Sequence, residues 1–215
     1  DICLNDTSAP NWKENSPKQW VGGCDNDHFY FSGTLEGDGH IVSGLYINGK
    51  TDWFYGGLFN GLGNGAVIRN VGLTNASVTG ENAKADGPFL GTLAGNLQNN
   101  STVNVVGCWV DDTVTVKATN SGSSNSEGAG GFIGCGASGM SLTFSNCYFT
   151  GTVACSDPTA ATAFCGSTWG GANATIVNCY TVGSKVCRDS NDSTKNVYAT
   201  APAVERTGVT ILTEN

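Results

Sequence analysis

The sequence predicts an all-β chain wound as a right-handed parallel β-helix, a solenoid with an N-terminal cap and a less regular C-terminal tail. Three observations predict it. Four blocks repeat one order of strand and turn, at a spacing of roughly thirty to forty residues, which is the range of solenoid repeats. Cysteines recur at a near-constant offset between the last two blocks. The composition is that of a turn-rich β protein, with 31 glycines in 215 residues and only 13% charged residues. A helical chain would carry far more Lys, Glu, Ala and Leu.

Residues 1–30 are expected to cap the first coil, with Cys3 and Cys24 as a candidate staple. Residues 31–187 are the expected repeats. The blocks run Gly56 to Gly80, Leu90 to Val116, Gly130 to Cys155 and Ala163 to Cys187. Each opens on a short apolar strand, anchored at Phe59, Leu93, Ile133 and Phe164. A glycine-rich turn and a longer strand follow, with second anchors at Val71, Cys108, Cys147 and Cys179. Thr143, Phe144, Tyr148, Phe149, Thr175, Ile176, Tyr180 and Thr181 are β-formers, and Gly, Asn and Ser supply the turns. So short a repeat cannot bury its own apolar face, so each must stack on the next. Residues 188–215 hold Val197, Tyr198, Val209, Ile211 and Leu212, read as a C-terminal cap or inter-subunit tail.

The cysteines set the expected register. Cys135, Cys147 and Cys155 recur as Cys165, Cys179 and Cys187, at offsets of 30, 32 and 32 residues. Stacked coils bring like positions to a spacing that suits a disulfide, so these three pairs are candidate bridges between coils. The alternative is a row of buried free thiols. Cys108 is then left without a partner, because nine cysteines is an odd number.

The segment Phe31-Ser32-Gly33-Thr34-Leu35-Glu36-Gly37-Asp38-Gly39-His40-Ile41-Val42-Ser43-Gly44-Leu45 resembles the opening of GLUG-motif β-helices. Gly56-Gly57-Leu58-Phe59 and Gly130-Gly131-Phe132-Ile133-Gly134 resemble the repeating element itself, and Trp20 resembles the tryptophan that often precedes the opening. The resemblance covers roughly residues 20 to 187 and implies a right-handed parallel β-helix of a large extracellular protein, adhesins among them. It implies no catalytic residues. The cysteine content departs from the pattern of its bacterial members.

Charge narrows the function classes. A net charge of −8, with ten Lys and Arg spread along the chain, gives no basic patch for nucleic acid. No run of about 18 apolar residues is present, so no membrane insertion is expected. The cysteines suggest an oxidising compartment, and the expected location is extracellular or cell-surface. A removed signal peptide, or a larger parent protein, would fit that reading. Asn5, Asn75, Asn99, Asn100, Asn173 and Asn191 begin Asn-x-Ser/Thr sequons and are candidate N-glycosylation sites.

No cofactor, metal or catalytic cluster is expected. His40 reads as a turn-packing residue. Asp25, Asp27 and His28 form an acidic cluster without a calcium-loop spacing. Asp111 and Asp112 are adjacent, and neighbours on a strand face opposite sides, so they read as a solvated turn and not a glycosidase pair. Arg69 and Lys117 are the only basic residues in the repeat strands, and a polysaccharide lyase would have to use them. Trp109, Tyr148 and Tyr180 occupy one slot on successive copies. Inward or groove-lining is their plainer reading; outward, they would make a strip able to stack on sugar rings. The sequence-level expectation is a non-catalytic secreted structural or adhesion module, with a head-to-tail filament subunit as its finer form. A carbohydrate-binding module is the alternative, and a β-helix lyase or glycosidase the remoter one.

Overall fold

A computed structural model describes residues 1–20, 29–50, 54–82, 87–121, 127–156, 160–169 and 172–181, and the backbone of Lys185–Arg188, Asn196–Tyr198 and Val209–Leu212. The chain is all-β and winds into a parallel β-solenoid of about four turns. Its strands form a ten-stranded sheet, a seven-stranded sheet and two four-stranded sheets. One short 3-10 turn, Trp12–Glu14, occurs among the described residues.

Register explains the core. In the ten-stranded sheet, Thr102–Val106, Ser141–Ser145 and Asn173–Val177 share one alternating burial pattern. Alternation on a strand sends every second side chain to the same face. The inward column Leu35, Ile68, Val105, Phe144, Ile176 therefore stacks residue on residue. A second column, Ile47, Val78, Val116, Val153, lines one four-stranded sheet. Phe132 and Phe164, each just before a strand of the seven-stranded sheet, meet Phe144 of the ten-stranded sheet, with Phe132 and Phe164 stacked at 5.5 Å. Burying each such side chain is worth roughly 1.5–3 kcal/mol.

One corner is built by a left-handed residue on every coil. Asn70, Gly107, Asn146 and Asn178 have φ of 55°, 61°, 54° and 50°. They succeed the register partners Arg69, Val106, Ser145 and Val177, so they occupy one column. Glycine and asparagine are the residues that take this conformation with least strain. The sequence's recurrent Asn-Cys step is this corner.

Two register findings correct the sequence alignment. The first anchors mix two columns: Phe59, Ala94, Ile133 and Cys165 are partners, and the residues before them, Leu58, Leu93, Phe132 and Phe164, make the other column. The cysteine pairs are also displaced. Cys135 faces Ser167, while Cys165 faces Ile133 on one side and Cys187 on the other. Cys135 packs with Tyr55 and Phe89 in a small second core, whereas Cys165 belongs to the main one. Cys155 faces Ala118 in a different sheet from Cys187. The pairs Cys135–Cys165 and Cys155–Cys187 are therefore not stacked partners.

The N-terminal residues cover the first coil. Ile2–Cys3 adds in parallel to Thr34–Ser43 through Ile2 opposite Val42. Trp12 is buried edge-on against Tyr46, and the Trp20 amide donates to the Tyr46 carbonyl at 2.8 Å. At the other end, Asn196–Tyr198 runs antiparallel to Lys185–Arg188, and Val209–Leu212 adds in parallel to Asn173–Val177.

The corner gives a direct test. Asn146→Gly is expected to leave stability nearly unchanged, whereas Asn146→Val is expected to cost about 1–3 kcal/mol in urea unfolding, because a branched side chain is strained at positive φ. Phe144→Ala is expected to cost about 3–5 kcal/mol in the same measurement, as the largest residue of its column leaves a cavity.

Candidate functional site

Beyond the Asn corner each coil runs through a short strand that shows one residue outward between two inward ones. The outward column is Gly72, Trp109, Tyr148, Tyr180. Trp109 and Tyr148 are half-buried and Tyr180 is 54% exposed, while Val110, Phe149 and Thr181 beside them are buried. The inward reading of these aromatics is thus corrected: they form an outer row. Tyr148 and Tyr180 stack at 5.2 Å with 14° between their planes. Trp109 lies flat on Gly72, where any β-carbon would collide with its indole. One face of Tyr148 is therefore spent on Tyr180, and Trp109 is spent on the backbone of Gly72. Burial, followed by the nearby Tyr180 and Asp111, raises the Tyr148 hydroxyl above its ordinary pKa.

The inward column lying between the corner and these rings is Val71, Cys108, Cys147, Cys179. Here the sequence reading of the second anchors matches the structure, and Cys108 is a member of the row. Cys108 and Cys147 are buried and Cys179 is half-buried, and all three carry free thiols. Each sulfur donates to the carbonyl two residues back: Val106 at 3.5 Å, Ser145 at 3.3 Å and Val177 at 3.1 Å. The Cys147 amide donates to the Cys179 sulfur at 3.3 Å. Hydrogen bonding to Cys108, then to Cys179, holds the Cys147 thiol well above its ordinary pKa, while the Cys147 hydrogen bond lowers Cys179. Cys3 is exposed with its thiol on the Asn5 carbonyl at 3.0 Å; Cys24 lies outside the described residues.

The sequons separate by environment. Asn99, Asn100 and Asn173 are exposed and Asn75 is half-buried. Asn5 is committed elsewhere. Its Nδ2 donates to the Lys18 and Gly44 carbonyls, at 3.0 and 2.8 Å, and its Oδ1 accepts from the Lys18 amide at 2.7 Å. A glycan attaches through Nδ2, so it would break part of the clamp that ties the cap to the first coil. Asn191 lies outside the described residues.

The carboxylates and bases are dispersed. Asp111 accepts from the Thr113 amide at 3.1 Å and from the Thr113 hydroxyl, closing a turn, and Asp112 is exposed. Arg69 pairs with Glu36, its register neighbour, whereas Lys117 stands on a different sheet. The Asn70 amide, the Asp38 backbone N–H and Arg69 together hold the Glu36 carboxyl below its ordinary pKa. His40 meets Asp1 at 3.2 Å on the surface. Asp25, Asp27 and His28 lie outside the described residues, among which no three His, Cys, Asp or Glu groups converge as metal ligands. A cleft of about 420 Å³ opens beside the first coil, walled by Ile2, Leu4, Trp20, Leu35, Leu58 and Phe59 and edged by Asp1, Glu36 and His40. Trp20 fixes one wall by donating from its indole to the Leu58 carbonyl at 3.0 Å. Sequence spacing gave no sign of this cleft, which depends on how the cap lies on the coil.

No family model matches the chain, and no solved structure does. Over 106 residues, 49% of the chain, it is 37% identical to halomucin of Haloquadratum walsbyi. Over 66 residues, 31% of the chain, it is 39% identical to a protein of Evansella cellulosilytica described as a Gly-rich membrane protein. The matched stretches span 1% and 7% of the lengths of those two proteins. Among the described residues no helix is long and apolar enough to cross a membrane.

The Glu36 contacts predict a pH dependence. A carboxyl held below its unfolded value adds stability above that value and loses it as pH falls through the folded one. Unfolding followed from pH 6 to 3 is therefore expected to weaken below about pH 4.5 in the wild type, with a smaller slope in Glu36→Gln.

Proposed function

We propose that the chain is a non-catalytic repeat module of a secreted or cell-surface protein, serving a structural or adhesive role. The observation that carries this reading is the register itself. Like positions stack from coil to coil, so the outer surface is a set of ladders, and Arg69, Lys117, Asp111 and Asp112 are each tied into or spread over separate ladders. The matches support it, because stretches like this one make up small parts of much longer proteins, one named halomucin and one described as a membrane protein. The resemblance of the opening segment to GLUG-motif β-helices leads the same way.

Head-to-tail association is the finer form of the proposal. Its contact would set the C-terminal coil of one copy against the first coil of the next, which residues 1–20 cover. Carbohydrate binding is the second reading, favoured by the outward position of Trp109, Tyr148 and Tyr180. The stacking of Tyr148 on Tyr180 weighs against it, because a sugar ring packs on an open aromatic face.

Antibody raised against the folded chain is expected to label intact producing cells or their medium; labelling that requires permeabilised cells would overturn the proposal. A panel of polysaccharides is expected to release neither reducing nor unsaturated ends. Release that disappears in Arg69→Ala or Asp112→Ala would establish an enzyme instead.

A further inference from the structure

The thiol row offers chemistry that the structural role does not use. We propose that Cys108, Cys147 and Cys179 form one oxidation site, which holds a single disulfide at a time, always through Cys147, and is entered from Cys179 by a low-molecular-weight disulfide.

Spacing sets the sharing rule. Register partners on neighbouring coils lie about 4.8 Å apart, inside the roughly 4.4–6.8 Å that a disulfide spans between Cα atoms. Cys147 is a partner of Cys108 on one side and Cys179 on the other. Cys108 and Cys179 are two coils apart, about 9–10 Å, and cannot bridge each other. Three thiols in a row therefore give one bridge and one remaining thiol.

Access sets the order. Cys108 and Cys147 are buried, while Cys179 is half-buried at the C-terminal end of the row. The Cys147 amide points at the Cys179 sulfur, so partial negative charge there is stabilised. Hydrogen bonding with Cys147 favours the thiolate at both Cys179 and Cys108 and the thiol at Cys147, so exposure is what singles out Cys179 as the entry. The thiolate is the attacking species. The Cys179 sulfur attacks oxidised glutathione, forming a mixed disulfide and releasing one glutathione thiolate. Cys147 then attacks the Cys179 sulfur, and its proton passes to the second glutathione thiolate as that leaves. Two protein thiols are oxidised to one disulfide, and one glutathione disulfide is reduced to two thiols. Attack by Cys108 on the Cys147 sulfur moves the bridge one coil inward and frees Cys179, with no net oxidation.

The test treats the folded protein with oxidised glutathione, alkylates remaining thiols and maps peptides by mass spectrometry. The wild type is expected to show a bridge from Cys147 to Cys179 or to Cys108, with the third thiol alkylated. Cys179→Ser is expected to give Cys108–Cys147, formed at least tenfold more slowly, and Cys108→Ser to give Cys147–Cys179 at the wild-type rate. Cys147→Ser is expected to give no bridge in the row, with Cys179 carrying glutathione. Circular dichroism confirms that each variant keeps its β-signature; if Cys147→Ser fails to fold, Cys147→Ala replaces it, and the other two variants still decide. A Cys108–Cys179 bridge, or Cys147 fully alkylated in the oxidised wild type, would overturn the proposal.

Discussion

Parallel hydrogen bonding between successive coils is the constraint on which the rest of this structure depends. Once Val103 pairs with Leu142, and Leu142 with Ala174, the position of every other residue on those strands follows. A slip of one residue would send the inward columns to solvent. The columns of like residues are thus a consequence of backbone pairing, and packing such as the Phe132–Phe164 stack then holds the pairing in place.

The corners transmit that constraint from one sheet to the next. A turn with positive φ must fall at the same column on each coil, or the following strand would lose its register. This is why asparagine or glycine stands at 70, 107, 146 and 178, and why the residues after it form two parallel rows, sulfurs within and aromatics without. The ladder of exposed small polar residues, by contrast, is free to vary, as Thr102, Ser141 and Asn173 do along one column.

The sequence was legible where alternation survives. Val71, Cys108, Cys147 and Cys179 follow a corner and precede an outward aromatic, so their column could be read from the Asn-Cys step. Alternation fails in the seven-stranded sheet. Ala94–Leu97, Ile133–Gly136 and Cys165–Thr168 are buried at every position, because a second small core around Tyr55 and Phe89 covers the other face. A strand buried on both faces carries no period of two. Leu93-Ala94, Phe132-Ile133 and Phe164-Cys165 are each two apolar neighbours, and the reading chose the wrong member in some blocks. The cysteine offsets misled for the same reason: Cys135 and Cys165 lie in different cores, and a repeat in spacing does not specify a face. The side of the aromatic row was equally hidden, since Trp and Tyr suit either face of a half-buried strand.

Stacking also decides where this protein can present chemistry. Within the array Tyr148 stacks on Tyr180, and Cys108 and Cys147 are enclosed by the coils on both sides. At the C-terminal end the pattern changes: Asn196–Tyr198 pairs antiparallel with Lys185–Arg188, while Val209–Leu212 extends the ladder of Asn173–Val177 in parallel. Tyr180, the last described rung of the outer row, is accordingly its most exposed member, and Cys179 is the least buried thiol of the inner row. Among the described residues neither has a register partner beyond it, whereas Trp109, Tyr148, Cys108 and Cys147 have neighbours on both sides. Exposure along both rows therefore rises toward the C-terminal end of the described coils, while stacking on both sides encloses the rungs before it.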